Sequence, residues 1–302
     1  MKLINWVTHP SYDIPLPQRH RFTSSKFSDL FTELQCSSLI KSAKINSPSK
    51  ANADDLLVAH CATYISKIKF GSIPKKEERK LGLTWSPELS NRSFLAVNGT
   101  LLTAKLAIEN GVACHLAGGT HHAHYDFGSG FCVFNDLAYT SIHLVRGKIV
   151  KKILIFDCDV HQGDGTANIL ANNSNIFTCS IHSRKNFPAI KAKSDLDIEL
   201  EDEMENQQYQ GIIESTLIWC VNFFRPDLVL YDAGIDVHKN DALGRLNISN
   251  EGCLSRDLFV LSYLKKHSIP VATVIGGGYS KDRIELANRH SIIFKAAHEV
   301  YS

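Results

Sequence analysis

The chain has 302 residues, enough to bury a large core as one large α/β domain or two smaller ones. Its apolar fraction of 44% and charged fraction of 21% are those of a soluble globular protein. A net charge of +2 leaves no nucleic-acid footprint, and no apolar run reaches the length of a membrane span.

Residues 1–10 lack the apolar core of a signal peptide. The eight cysteines form no Cys-x-x-Cys pair, which argues against a structural zinc clip or a thioredoxin-type redox centre. Cys158 and Cys179 sit inside apolar runs, where a reduced cysteine packs as a small hydrophobe. The chain reads as cytoplasmic and reduced.

In chain order, a first buried strand is predicted over residues 3–7. Residues 41–53 are the most linker-like stretch, and 73–91 form a second polar surface excursion. A helix follows over 98–109, with Gly111 as its stop, and then a strand over 112–116. Further strands are predicted over 153–156, 176–180, 228–231 and 271–275. Helices over 208–224 and 252–266 separate the last of them. Short Val- and Ile-rich runs followed by Gly, Asp or His fit a parallel sheet covered on both faces. The expectation is a single α/β domain over residues 1–302.

Four polar clusters fall at or just after these strands. The first is Gly118-Gly119-Thr120-His121-His122-Ala123. Adjacent histidines in an extended chain point to opposite sides, but a turn after two glycines can bring both into one cavity. The bland alternative is a satisfied core histidine. The second cluster is Asp157-Cys158-Asp159-Val160-His161, followed by Gln162-Gly163-Asp164-Gly165. Alternation along a strand lets Asp157, Asp159 and His161 converge, and oxygen plus nitrogen ligands suit zinc. A strand that merely ends in a polar loop is the alternative. The third is Tyr231-Asp232-Ala233-Gly234-Ile235-Asp236, whose Asp236 is either a third ligand or a capping aspartate. The fourth is Gly276-Gly277-Gly278-Tyr279, a backbone path that side chains would block, or a plain turn.

Taken together, the clusters make a complete amide hydrolase. Asp159, His161 and Asp236 would hold zinc and leave a fourth position open. His122 and His121 would share acid–base work, each oriented by a carboxylate, with Asp157 and Asp164 the spare carboxylates nearby. Tyr279 would donate to the oxyanion.

These residues resemble the zinc-dependent histone deacetylase superfamily, which shares the arginase-like fold. The match includes Gly119 to Ala123, Gly128-Ser129-Gly130-Phe131-Cys132-Val133-Phe134-Asn135-Asp136, Asp157 to Gly165, Tyr231 to Asp236, and Gly276 to Tyr279. The subclass resembled is class IV with its bacterial members, on His9 to Phe22, His161-Gln162-Gly163 and Asp241-Ala242-Leu243-Gly244-Arg245-Leu246. The resemblance implies zinc ligands at Asp159, His161 and Asp236, the acid–base pair at His122 and His121, and the polarising hydroxyl at Tyr279. It pairs Asp157 with His121 and Asp164 with His122. It implies a potassium ion held by Asp157, by the backbone carbonyls of Asp159 and His161, and by Ser180. Gly130, Phe131, Phe187 and Leu243 match an acyl-lysine tunnel, and Arg21 matches an arginine of its inner cavity.

The sequence departs from the family in two places. Thr120 stands where many relatives carry a large aromatic, which is expected to widen the inner tunnel and admit longer acyl chains. Residues 73–91 lack the rim aspartate that grips a peptide backbone. The expected substrate is an N-acyl-lysine peptide, with a small acylated amine such as an acetylpolyamine as the alternative. Iron(II) also suits the ligand set. Neither nucleic-acid binding nor a membrane span is expected, and oligomeric state is left open.

Overall fold

A computed structural model describes residues 3–17 and 19–302. Its strands are β1 (Ile4–Val7), β2 (Ala43–Asn46), β3 (Val112–His115), β4 (Ile153–Asp157), β5 (Ile176–Ser183), β6 (Leu196–Leu200), β7 (Leu228–Asp232) and β8 (Val271–Val274). They form one sheet in the order β2-β1-β3-β8-β7-β4-β5-β6, with every neighbouring pair parallel. The helices are α1 (Lys26–Cys36), α2 (Ala62–Phe70), α3 (Lys75–Leu81), α4 (Pro87–Asn110), α5 (Asp136–Arg146), α6 (Asp164–Leu170), α7 (Asn206–Phe224), α8 (Asn250–Lys266), α9 (Arg283–His290) and α10 (Ile292–Tyr301).

Helices cover both faces. On one face α4 lies against β1, β3 and β8 and beside α5. On the other, α7 packs on β4 and β5, and α10 packs on β1 and β3 beside α8. The six strands with a fully buried pattern are those the sequence predicted, because burial on both faces demands continuous apolar residues. The edge strands differ. β2 runs through the stretch read as a linker, with Lys44 and Ile45 exposed. β6 reads Leu-Asp-Ile-Glu-Leu, a half-exposed alternation that the search for apolar runs passes over.

The helix predicted over 98–109 begins at Pro87. Ser86 caps it by accepting from Leu89 N at 3.1 Å, and proline occupies the first turn, where its missing N–H costs nothing. The excursion over 73–91 is therefore α3 plus the start of α4. All eight cysteines are free. Among the described residues no helix is long and apolar enough to cross a membrane.

The arrangement decides where chemistry can occur. β3, β8, β7 and β4 are consecutive in the sheet, and the four polar clusters leave their C-terminal ends. Open parallel sheets bind ligands at that edge.

Candidate active site

The histidine loop is shaped from below. Gly118 and Gly119 have φ of 83° and 79°, in the left-handed region. A Cβ on Gly119 would lie 2.5 Å from Asp232 Oδ2 and 2.6 Å from Gly276 Cα, so only glycine fits there. The loop is then clamped by two residues that open α5. Asp136 accepts from Gly119 N at 3.1 Å, Thr120 N at 2.7 Å and Thr120 Oγ1 at 2.6 Å. Asn135 Nδ2 donates to the carbonyls of His121 at 3.3 Å and Ala123 at 3.1 Å. The motif Phe134-Asn135-Asp136 thus holds the histidine backbone and does not touch the cleft itself.

Two buried histidines, neither marked by any motif, brace this clamp. His60 Nε2 accepts from Asn135 N at 2.9 Å, and its Nδ1 donates to His124 O at 2.9 Å. His115 accepts from the Tyr12 hydroxyl at 2.8 Å and donates to Thr100 Oγ1 at 3.0 Å, which in turn donates to Asp136. Burial lowers the pKa of His60 to about 4 and that of His115 to about 3, so both are neutral.

The clamp sets the two catalytic-type imidazoles side by side. His121 Nδ1 donates to Asp157 at 2.7 Å, and His122 Nδ1 donates to Asp164 at 2.6 Å. Their Nε2 atoms are 3.2 Å apart. Burial opposes a charge on His121, but the Asp157 and Asp159 carboxylates outweigh it and raise its pKa well above normal. Burial and the His121 charge lower His122 to about 4. The pair therefore keeps its proton on His121 and leaves His122 neutral.

Asp159, His161 and Asp236 converge as predicted. His161 Nδ1 lies 3.0 Å from Asp159 Oδ1 and 3.0 Å from Asp236 Oδ2, and all three side chains are buried. Burial raises Asp236 to about 6, reinforced by the Asp159 charge. Burial disfavours charge on His161, yet hydrogen bonds to both carboxylates push it up to about 10. Two buried carboxylates around one imidazole call for positive charge at their centre, which fits a divalent cation of the zinc type.

The backbone holds this trio open. Gly277 N donates to Asp159 Oδ2 at 2.6 Å, and Val160 N to Asp236 Oδ1 at 2.9 Å. A Cβ on Gly277 would lie 2.0 Å from Asp236 Oδ2, which is the physical reason for glycine there. Buried Arg256 of α8 supports the β7 exit through bonds to Gly234 O at 2.8 Å and Ala233 O at 3.2 Å.

Gly130, Phe131, Phe187, Leu243, His122, His161 and Tyr279 line one cleft of about 660 Å³. Phe131 sits at φ 65°, unusual for an aromatic, and turns its ring to within 5.9 Å of Tyr279. Phe187 stands edge-on to His122 at 4.8 Å. Tyr279 is positioned by Asp241, which accepts from its N–H at 2.6 Å and also from Leu243 N and Gly244 N. Burial and the Asp236 and Asp159 charges raise the Tyr279 pKa well above normal, so its hydroxyl keeps its proton. Ser180 pairs in register with Asp157, and its hydroxyl meets His182 Nδ1 at 3.0 Å.

The structure corrects two expectations. Arg21 is exposed at the mouth of the cleft, and the cations of the inner cavity are instead buried Lys26 and Arg92. Thr120 leaves no wide inner end: its hydroxyl is tied to Phe134 O and Asp136, and the cavity beside it measures about 30 Å³. The sequence also missed His124, whose Nε2 donates to the second oxygen of Asp164 at 3.0 Å. Asp164 thus serves two imidazoles, and their hydrogen bonds outweigh burial and lower its pKa.

A buried Asp–His–Asp trio that could hold a metal ion, beside an imidazole held by its own carboxylate, opens through His161 and His122 into one cleft, an arrangement suited to hydrolysis. A sequence profile described as the histone deacetylase domain matches residues 20–293. Histone deacetylase 2 of Arabidopsis thaliana is 30% identical over 310 residues, spanning 96% of this chain and 80% of that one. Acetoin utilization protein AcuC of Staphylococcus aureus is 30% identical over 295 residues, spanning 88% and 74%. An uncharacterized protein of Picosynechococcus is 42% identical over 295 residues, with 98% of each chain covered. The crystal structure of the HDA15 HD domain covers 100% of this chain and 90% of its own, with a TM-score of 0.82 at 17% identity, which establishes a shared fold. The chain belongs to the histone deacetylase family. It is accordingly a deacetylase-type hydrolase with that family's arginase-like fold.

Proposed function

We propose that residues 1–302 form one catalytic domain that hydrolyses the amide of an N-acyl-lysine, with acetyl as the preferred acyl group. The observation that carries this reading is the shared cleft, which His122, His161 and Tyr279 enter together. Zinc on Asp159, His161 and Asp236 would supply Lewis acidity toward the carbonyl and acidify water. His122, neutral with Nδ1 bound to Asp164, takes the water proton on Nε2 and returns it to the leaving amine. His121, oriented by Asp157, keeps positive charge beside the developing negative charge. The Tyr279 hydroxyl donates to the oxyanion. Gly130, where an added Cβ would meet the His122 ring, would accept the substrate amide proton on its carbonyl between the Phe131 and Phe187 walls. A potassium ion on Asp157, Ser180 and the carbonyls of Asp159 and His161 would steady the β4 exit.

The acetyl preference comes from the inner cavity. About 30 Å³ accommodates one or two waters or a methyl-sized group. A long chain would have to displace Phe22, Lys26 or Phe27. Asp241 and the Leu243–Leu246 segment keep the class IV assignment as the reading of subclass.

Matched acetyl-lysine and myristoyl-lysine peptides, given to zinc-loaded and chelated protein, test this. Acetyl turnover should dominate and disappear on chelation. Dominant myristoyl turnover would reject the acetyl preference, and no turnover of either with zinc bound would reject the lysine deacylase reading.

A further inference from the structure

The mouth of the cleft carries one sign of charge. Arg19, Arg21, Arg79 and Lys80 are part of its lining, and among the described residues no Asp or Glu is. The chain as a whole balances 33 Lys and Arg against 31 Asp and Glu, so this is a local concentration. All four are exposed. None is in a salt bridge among the described residues. The acids of α3 are engaged elsewhere: Glu77 with Lys67 at 2.6 Å, and Glu78 with Lys75 at 2.7 Å.

The cations come from two segments joined at one point. His20, between Arg19 and Arg21, donates from Nε2 to Gly82 O at 3.0 Å, while its Nδ1 accepts from Phe22 N. Gly82 directly follows Arg79-Lys80-Leu81. The His20 ring also stands 5.8 Å from Phe131, whose N–H donates to Leu81 O at 2.8 Å. The basic lip is thus built onto the aromatic tunnel wall. Lys80 lies over the Phe127 ring, 3.2 Å from its centroid. Asn186, Phe187 and Leu243, which also line the cleft, are themselves uncharged, and Lys191 Nζ behind them is taken up by the carbonyls of Asn186 and Pro188.

We propose that this lip selects acidic peptide segments, in which the acyl-lysine has Asp or Glu side chains nearby. The proposal rests on the deacylase reading above. Each exposed charge is weak alone, but like charges around a cleft add and focus their field. A substrate carboxylate gains from all four cations, whereas a polyamine is repelled by them. A nucleic acid is the poorer fit, because it needs an extended basic surface and the whole chain carries a net charge of only +2.

The test uses zinc-loaded protein and three acetyl-lysine peptides of equal length, with acidic, neutral or basic flanks. Binding is read by fluorescence anisotropy and turnover by kcat/KM. The acidic peptide should exceed the basic one by roughly tenfold at low salt, mainly through KM. The gap should shrink at about 0.5 M salt. Arg79→Glu with Lys80→Glu should reverse the order, and Arg19→Glu with Arg21→Glu tests the second segment if the first variant does not fold. Equal affinity for the three peptides, or a preference for basic flanks or acetylspermidine, overturns the proposal. So does tighter binding of an oligonucleotide of the same net charge than of the acidic peptide. Flank-dependent binding without turnover would support the lip proposal and count against the deacylase reading.

Discussion

The floor and the lip of the cleft are built by opposite rules. The floor, from His121 to Asp236, is buried, its histidines and carboxylates are cross-bonded, and it hangs from four adjacent strand ends. The lip is exposed, comes from two segments about sixty residues apart in sequence, and is joined by the His20–Gly82 hydrogen bond. Buried charges at the floor must be paired, so a change there is severe. Exposed charges at the lip tune which substrate arrives, so a change there should alter selectivity and spare the fold.

The largest effect should come from breaking the trio at the floor. Asp236→Ala should lower kcat/KM roughly 10³-fold or more, since a bound metal is worth several kcal/mol to the reaction. Steady-state kinetics with measured metal content would show it, and retained activity would detach Asp236 from the chemistry. Tyr279→Phe should follow, with a loss of roughly 10²–10³ in kcat. A change confined to KM would make the hydroxyl a binding group only.

Acid should attack the support of the floor before the lip. His60 and His115 have folded pKa values near 4 and 3, below the ordinary value of about 6.5 in an unfolded chain. Their neutral burial stabilises fully above pH 6.5 or so, and that stability is lost as pH falls toward the folded values. By about pH 5 the loss is roughly 2 kcal/mol for each histidine. Thermal melts between pH 7 and pH 5 should show a falling Tm, and His60→Gln should flatten the slope. An unchanged slope would remove His60 from the acid response.

The roughly tenfold reversal at the lip comes next in size. The smallest effect belongs to His124, which shares Asp164 with His122. His124→Phe keeps a ring to stack on Phe127 but loses the donor, and should lower kcat about threefold. His124→Gln, which retains an N–H, should restore it. Equal kinetics in both variants would leave His124 without a part in positioning Asp164.

The same contrast explains what could be read in advance. The floor was legible because each strand exit carries its polar side chains within a few residues, as in Asp157, Asp159 and His161. The six buried strands were legible because two covered faces require continuous apolar runs. β2 and β6 were not, since an edge strand needs only one buried face and tolerates Lys44 or Glu199. His60, His115 and Arg256 left no signal, because each acts through a contact distant in sequence with an otherwise ordinary residue type. Arg21 was assigned to the inner cavity by resemblance, but Lys26 and Arg92 fill that space. The basic lip was invisible for a related reason: a net charge near zero hides a concentration of one sign.

The most direct test of the central claim is a zinc titration of chelated protein that follows acetyl-lysine hydrolysis and bound metal together. The account predicts that activity rises with added zinc and saturates at about one equivalent per chain, and that Asp236→Asn loses both. Full activity in the chelated protein, or equal zinc binding by Asp236→Asn, would contradict it.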